Sequence, residues 1–107
     1  MYRMVEPTVL YLLATGKAQY GYELMEKAHE TGLTDSEIDA GAIYRTLSAL
    51  EENGYGISRW DAGTSGPARH VYEITQAGRE HLAEWAVLLR RLWTSMTQFA
   101  DACDNLR

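Results

Sequence analysis

The stretch Asp39–Trp60, DAGAIYRTLSALEENGYGISRW, changes its apolar period halfway along, and that change decides the fold. Asp39 can cap a helix, and Ile38 just before it can meet Ile43 as a hydrophobic staple. At about 100° per residue, Ile43, Leu47 and Leu50 share one side, while Gly41, Arg45, Ser48 and Glu52 form the opposite, outward stripe. Gly54 ends this helix. Beyond it the period drops to two: Ser58 and Trp60 alternate with Ile57, Arg59 and Asp61, and later His70, Tyr72 and Ile74 alternate with Arg69, Val71 and Glu73. With the turn mixture AGTSGPA between the two runs, the segment from Tyr55 to Thr75 predicts a β-hairpin, in which Trp60 is expected in the core beneath it.

Upstream, Val5, Val9, Leu12 and Leu13 follow helical spacing, with Pro7 tolerable in the first turn and Gly16 closing the helix. A second short helix is expected from about Tyr20 to Thr31, with Leu24, Met25 and Ala28 on one face and Gly32 as its cap. Downstream, Thr75 can cap a final helix whose apolar positions are Leu82, Trp85, Leu89, Leu92, Met96, Phe99, Cys103 and Leu106. Ala86, Trp93 and Ala100 widen this stripe. A seam of this period along a helix of roughly 45 Å exceeds what a small domain can cover, so it is expected to bury against a second copy. Cys103 is expected to serve buried packing.

The chain has 107 residues, 46% of them hydrophobic and 23% charged, which fits one domain with modest self-burial. The N-terminal segment lacks the marks of a signal peptide and no apolar run approaches a membrane span, so a soluble, cytoplasmic protein with no membrane partner is expected. A single cysteine excludes an intrachain disulfide. The net charge of −5 argues mildly against nucleic acid, so the placement of the few cations matters more than their number. Catalysis finds little support: His29, His70 and His81 are scattered, no metal-ligand spacing occurs, and GTSGP lacks the strand-to-helix setting of a phosphate loop. No enzyme activity and no cofactor are expected. His81 and Glu84 share a helix face and read as a solvated pair, and Arg59 can pair with Asp61.

Three short helices, a hairpin and a long helix define the expected fold class: mainly α with a small β-hairpin, a winged helix-turn-helix plus a long C-terminal dimerisation helix. The expected division is a winged DNA-binding domain over 1–75 and a dimerisation helix over 76–107. In such a motif the second helix of the helix-turn-helix enters the major groove, which suits small or polar outward residues and one guanidinium. Gly41, Arg45 and Ser48 fit that description. Arg45 reads either as a DNA contact or as a solvated side chain, and Tyr44 either as a phosphate donor or as core packing. Arg69 and His70, beside a glycine-proline turn, read either as wing contacts to the duplex or as a polar hairpin tip.

The segments VLYLLATGKAQYGYELMEKA, DAGAIYRTLSALEENGYG, SRWDAG and SGPARHVYEITQAGREHL, in this order over residues 5–82, resemble the PadR transcriptional regulators. The resemblance implies a homodimeric winged-helix repressor, often relieved by a small ligand or other signal, and two copies whose third helices enter successive major grooves would fit a pseudo-palindromic double-stranded operator. It departs at Ala40, where the family usually has proline, at Ala42, where a DNA-contacting hydroxyl is common, and at Gly56, where an aliphatic strand residue is usual. Gly56 is expected to loosen the first strand or admit a bulge. The resemblance also implies a site for a flat aromatic effector at the dimer interface, for which Leu89 and Trp93 are the candidates. Otherwise Trp85 and Trp93 simply bury area at a subunit contact. The competing readings are a winged-helix adaptor that binds protein, and an aromatic-ligand-binding dimer without operator affinity.

Overall fold

The computed structural model of the protein describes residues 4–28, 39–61 and 69–107. Its elements are α1 (Val5–Thr15), α2 (Gly21–Ala28), α3 (Ala40–Glu52), β1 (Gly56–Asp61), β2 (Arg69–Ile74) and α4 (Gln76–Asp104). This is the mainly helical winged helix-turn-helix with a long final helix that the periodicities predict. Gly32, Ile38, His29 and the tip sequence AGTSGPA lie outside the described residues.

Local signals set the helix ends. Gly16 adopts φ 71° after α1, and its N–H donates to the Leu13 carbonyl. Asp39 caps α3, its Oδ1 accepting from Ala42 N at 2.7 Å. Gly54 follows α3 at φ 79°, a left-handed conformation that an L side chain rarely adopts. Thr75 caps α4: its Oγ1 accepts from Gly78 N at 3.0 Å and donates to the Gly54 carbonyl at 2.7 Å. The long helix is thereby tied to the turn behind α3.

The core is built on α1. Val9, Leu10, Leu12 and Leu13 pack with Leu24 and Ala28 of α2, Ile43, Leu47 and Leu50 of α3, and Tyr72 of β2. Leu10 falls outside the apolar face expected from sequence, yet it is completely buried. The reason is that α1 meets α2, α3, α4 and β2, so more than one of its sides is covered.

The strands pair antiparallel in unbroken register, from Gly56 opposite Ile74 to Asp61 opposite Arg69. The bulge expected at Gly56 does not form. That residue is buried, and a methyl group there would meet the Glu73 carbonyl oxygen at 3.4 Å and Leu50 Cβ at 3.8 Å, both ordinary contact distances. On the outer side of β2, Tyr20 bridges Val71 and Tyr72 N donates to the Gln19 carbonyl at 2.9 Å. The segment entering α2 thus lies directly against the hairpin.

Among the described residues no helix is long and apolar enough to cross a membrane. The molecule measures 64 × 26 × 20 Å, and from Trp93 onward every residue of α4 is exposed.

Candidate nucleic-acid interface

On α3 the outward stripe is where the helical period puts it. Gly41, Arg45 and Ser48 are exposed, and Ala42 is half-buried with its N–H taken by Asp39. The guanidinium of Arg45 folds back one turn over Gly41. A methyl group on Gly41 would lie 2.9 Å from Arg45 Nη1 and 3.2 Å from Asp39 Oδ1, so the missing side chain leaves the space that the arginine occupies. Tyr44 belongs to neither the core nor the free surface. It is 47% exposed, and its ring lies across Gly21, where an added methyl would meet the phenolic oxygen at 2.6 Å.

The hairpin contributes the other half. Trp60 is not core: it is 69% exposed. It shares the inward-facing side of β1 with Gly56, but lies four residues nearer the tip, where the described residues leave it largely uncovered. It stacks instead on His70, ring centroids 4.5 Å apart and planes within 11°. His70 in turn meets Tyr72, whose hydroxyl is 3.0 Å from His70 Nδ1. Arg69 lies over the ring of Tyr20 at 5.5 Å, and Tyr20 stacks on Tyr22 at 5.7 Å. Arg59 pairs across the strands with Glu73 at 3.2 Å rather than serving Asp61, an exposed ion pair of small energetic weight.

These groups converge. A shallow pocket of about 230 Å³ is lined by Tyr20, Gly21, Tyr22, Tyr44, Arg69, His70 and Tyr72. It brings predicted residues of α3 and the wing onto one surface and adds three tyrosines that periodicity passed over. Only the pairing of residues 19 and 20 with β2 places Tyr20 and Tyr22 there. Burial, then the nearby Glu51 and Tyr44, raises the pKa of the Tyr72 phenol above its ordinary value, so the hydroxyl keeps its proton. Two nearby carboxylates are already engaged: Glu23 accepts from the backbone N–H groups of Gln19 and Tyr20 at 3.2 and 3.1 Å, and Asp39 caps α3. The surface offers one guanidinium, several hydroxyls and an imidazole, a donor set suited to phosphate oxygens.

The apolar seam expected along α4 is divided. Leu82 and Trp85 pack against the chain's own core, Leu89 and Leu92 are half-buried, and Met96, Phe99 and Cys103 are exposed. Cys103 therefore has no packing role within the chain. His81 bonds to Glu6 rather than Glu84, and stacks on Tyr55 at 4.1 Å. Trp85 Nε1 donates to the same Glu6 oxygen at 2.7 Å. Between α1 and α4 lies a cleft of about 500 Å³ lined by Pro7, Thr8, Tyr11, Leu12, Lys17, Lys27, Leu82, Trp85, Ala86 and Leu89. Leu89 lines it, whereas Trp93, 70% exposed, does not. Among the described residues no cluster of histidine, cysteine or carboxylate side chains could hold a metal ion.

Residues 9–84 match the family described as transcriptional regulator PadR-like. Among solved structures, a PadR-like transcriptional regulator from Bacillus cereus is 29% identical, with 88% of each chain covered and a TM-score of 0.70. A transcriptional regulator from Clostridium thermocellum is 25% identical, over 89% of this chain and 88% of that one, at a TM-score of 0.77. Bacillus subtilis PadR, solved in complex with operator DNA, shares the fold at 22% identity and a TM-score of 0.66, over 79% of this chain and 48% of its own. No curated protein sequence matches. The chain belongs to the PadR-like family of transcriptional regulators.

Proposed function

We propose that the protein is a homodimeric repressor that binds a pseudo-palindromic duplex operator and is released by a small molecule or other signal, a small aromatic effector being the candidate ligand. The observation that carries this reading is the donor-rich surface on which Tyr44 of α3 meets Arg69 and His70 of the hairpin, with Arg45 exposed one residue along the same helix. In it α3 enters the major groove, with Gly41 and Ala42 allowing close approach, Arg45 and Ser48 facing base edges or phosphates, and Tyr44 donating to the backbone. Arg69 and His70 meet the flanking backbone. The operator complex of Bacillus subtilis PadR supports a DNA-binding role for this fold.

The exposed residues Met96, Phe99 and Cys103, continuing the half-buried Leu89 and Leu92, favour association of two copies through α4. Leu82 and Trp85 take part only at the edge of that contact, because the chain's own core already holds them. Two reading surfaces set about 34 Å apart then match successive major grooves. An aromatic effector lodged near Leu89 and Trp93 or in the adjoining cleft would alter that separation, and by linkage operator DNA would weaken effector binding by the same factor.

The test is a band shift with a duplex from the region upstream of the protein's own gene, in excess non-specific competitor. Wild type is expected to bind, and Arg45→Ala is expected to bind about tenfold or more weakly while keeping its assembly state. Equal binding by Arg45→Ala would remove α3 as the reading element. Absence of any preferred duplex, with quenching of tryptophan emission by planar dyes, would support the aromatic-binding alternative that the α1–α4 cleft favours. Absence of both leaves the protein-binding adaptor.

A further inference from the structure

His70 is the one wing residue whose chemistry depends on where a proton sits. Neutral imidazole has one donor and one acceptor nitrogen, and only the donor can serve a phosphate oxygen. Its ring is held on one face by Trp60, at 4.5 Å and 11°, while Nδ1 lies 3.0 Å from the Tyr72 hydroxyl. Besides that bond, His70 makes no other hydrogen bond among the described residues. The groups around it are Trp60 on β1, Tyr72 and Arg69 on its own strand, and the phenols of Tyr20, Tyr22 and Tyr44 across the shallow pocket.

We infer that Tyr72 is a positioning residue: its hydroxyl donates to Nδ1 of His70 and so keeps the imidazole proton on Nε2, making a neutral phosphate donor on the wing. A phenol is a strong donor and a weak acceptor, and an imidazole nitrogen is a strong acceptor, so O–H···N is the favoured sense of this bond. Trp60, whose exposure is otherwise costly, acquires a role as the plate against which the imidazole is aligned. A neutral donor also suits an acidic chain, because it gains a backbone contact without adding a cation. The role rests on the DNA-binding reading above.

Ring ¹⁵N shifts of His70 in the free protein, at a pH where the imidazole is neutral, report the tautomer without DNA. The expected result is an unprotonated Nδ1 and a protonated Nε2. Tyr72→Phe is expected to mix the tautomers and to weaken binding to the upstream-region duplex about threefold to tenfold, with the salt dependence unchanged. Because Tyr72 also packs in the core, a second pair guards against misfolding: His70→Gln, whose amide N–H reaches the Nε2 position, is expected to bind nearly as wild type, and His70→Asn to lose about as much as Tyr72→Phe. A proton on Nδ1 in wild type overturns the inference even if the duplex is bound. So does a Gln variant no better than Asn, which leaves operator binding itself intact. If wild type binds no duplex while Nε2 carries the proton, the phosphate role falls together with the DNA-binding reading.

Discussion

A methyl group added at Gly78 would overlap the carbonyl oxygen of Tyr55, which cannot yield without moving backbone, and would lie 2.7 Å from Ile74 Cγ1. Gly78→Ala is therefore expected to cost about 2–3 kcal/mol, read as a lower midpoint in chemical denaturation with an unchanged slope. At Gly41 the nearer neighbour is the mobile end of Arg45, which can swing aside, and the Asp39 capping oxygen at 3.2 Å need give only a few tenths of an ångström. Gly41→Ala is expected to leave stability unchanged or raise it by up to about 1 kcal/mol, through helix propensity, while weakening operator binding because it evicts the guanidinium. Thermal melts and band shifts on the same sample separate the two effects. At this scale the sequence was partly readable. Period alone made Arg45 and Ser48 outward, because a helix of known phase needs no partner to define its faces. It misplaced Trp60, since strand alternation tells which side a residue faces and not whether anything stands beneath it.

At the scale of elements, the junction of α1 and α4 decides how the shorter helices and the hairpin are held on the long helix. One Glu6 oxygen accepts from both His81 and Trp85, and Tyr55 stacks on His81 behind them. Glu6→Ala leaves two partly buried donors unpaired and is expected to cost about 1–3 kcal/mol. It should also shift Trp85 emission to longer wavelength, in intrinsic fluorescence recorded beside the thermal melt. None of this junction was readable from the chain, where Glu6 and His81 stand 75 residues apart and His81 reads naturally as a partner of Glu84 one turn away. The caps at Asp39 and Thr75 and the closing glycines 16 and 54 were readable, because each acts within a few residues of itself.

For the whole molecule, the exposed end of α4 carries the prediction. Phe99, 71% exposed, and Met96 lie on the seam beyond any cover from the chain's own body. A Met96→Glu, Phe99→Glu variant is expected to sediment as a monomer at micromolar concentration and to lose operator affinity, since each half-site then binds alone. Its wing and α3 should keep their melting behaviour, because these residues contact no core cluster. Salt titration gives an independent check: with Arg45 and Arg69 as the phosphate-reaching cations of each subunit, the log–log slope for a dimer is expected near −4, far shallower than that of a strongly basic repressor.

The order of elements, the helix phases, the hairpin and the surplus apolar seam were all determined by the sequence itself, because spacing, capping and turn chemistry act over a few residues. The meeting of Tyr20, Tyr22, Tyr44, Arg69 and His70 around one pocket, and the division of the seam between the chain's own core and an exposed end, were decided only by the tertiary structure. Both depend on which faces of α1 and β2 the other elements cover, a matter of packing between segments far apart in the chain that no local period encodes.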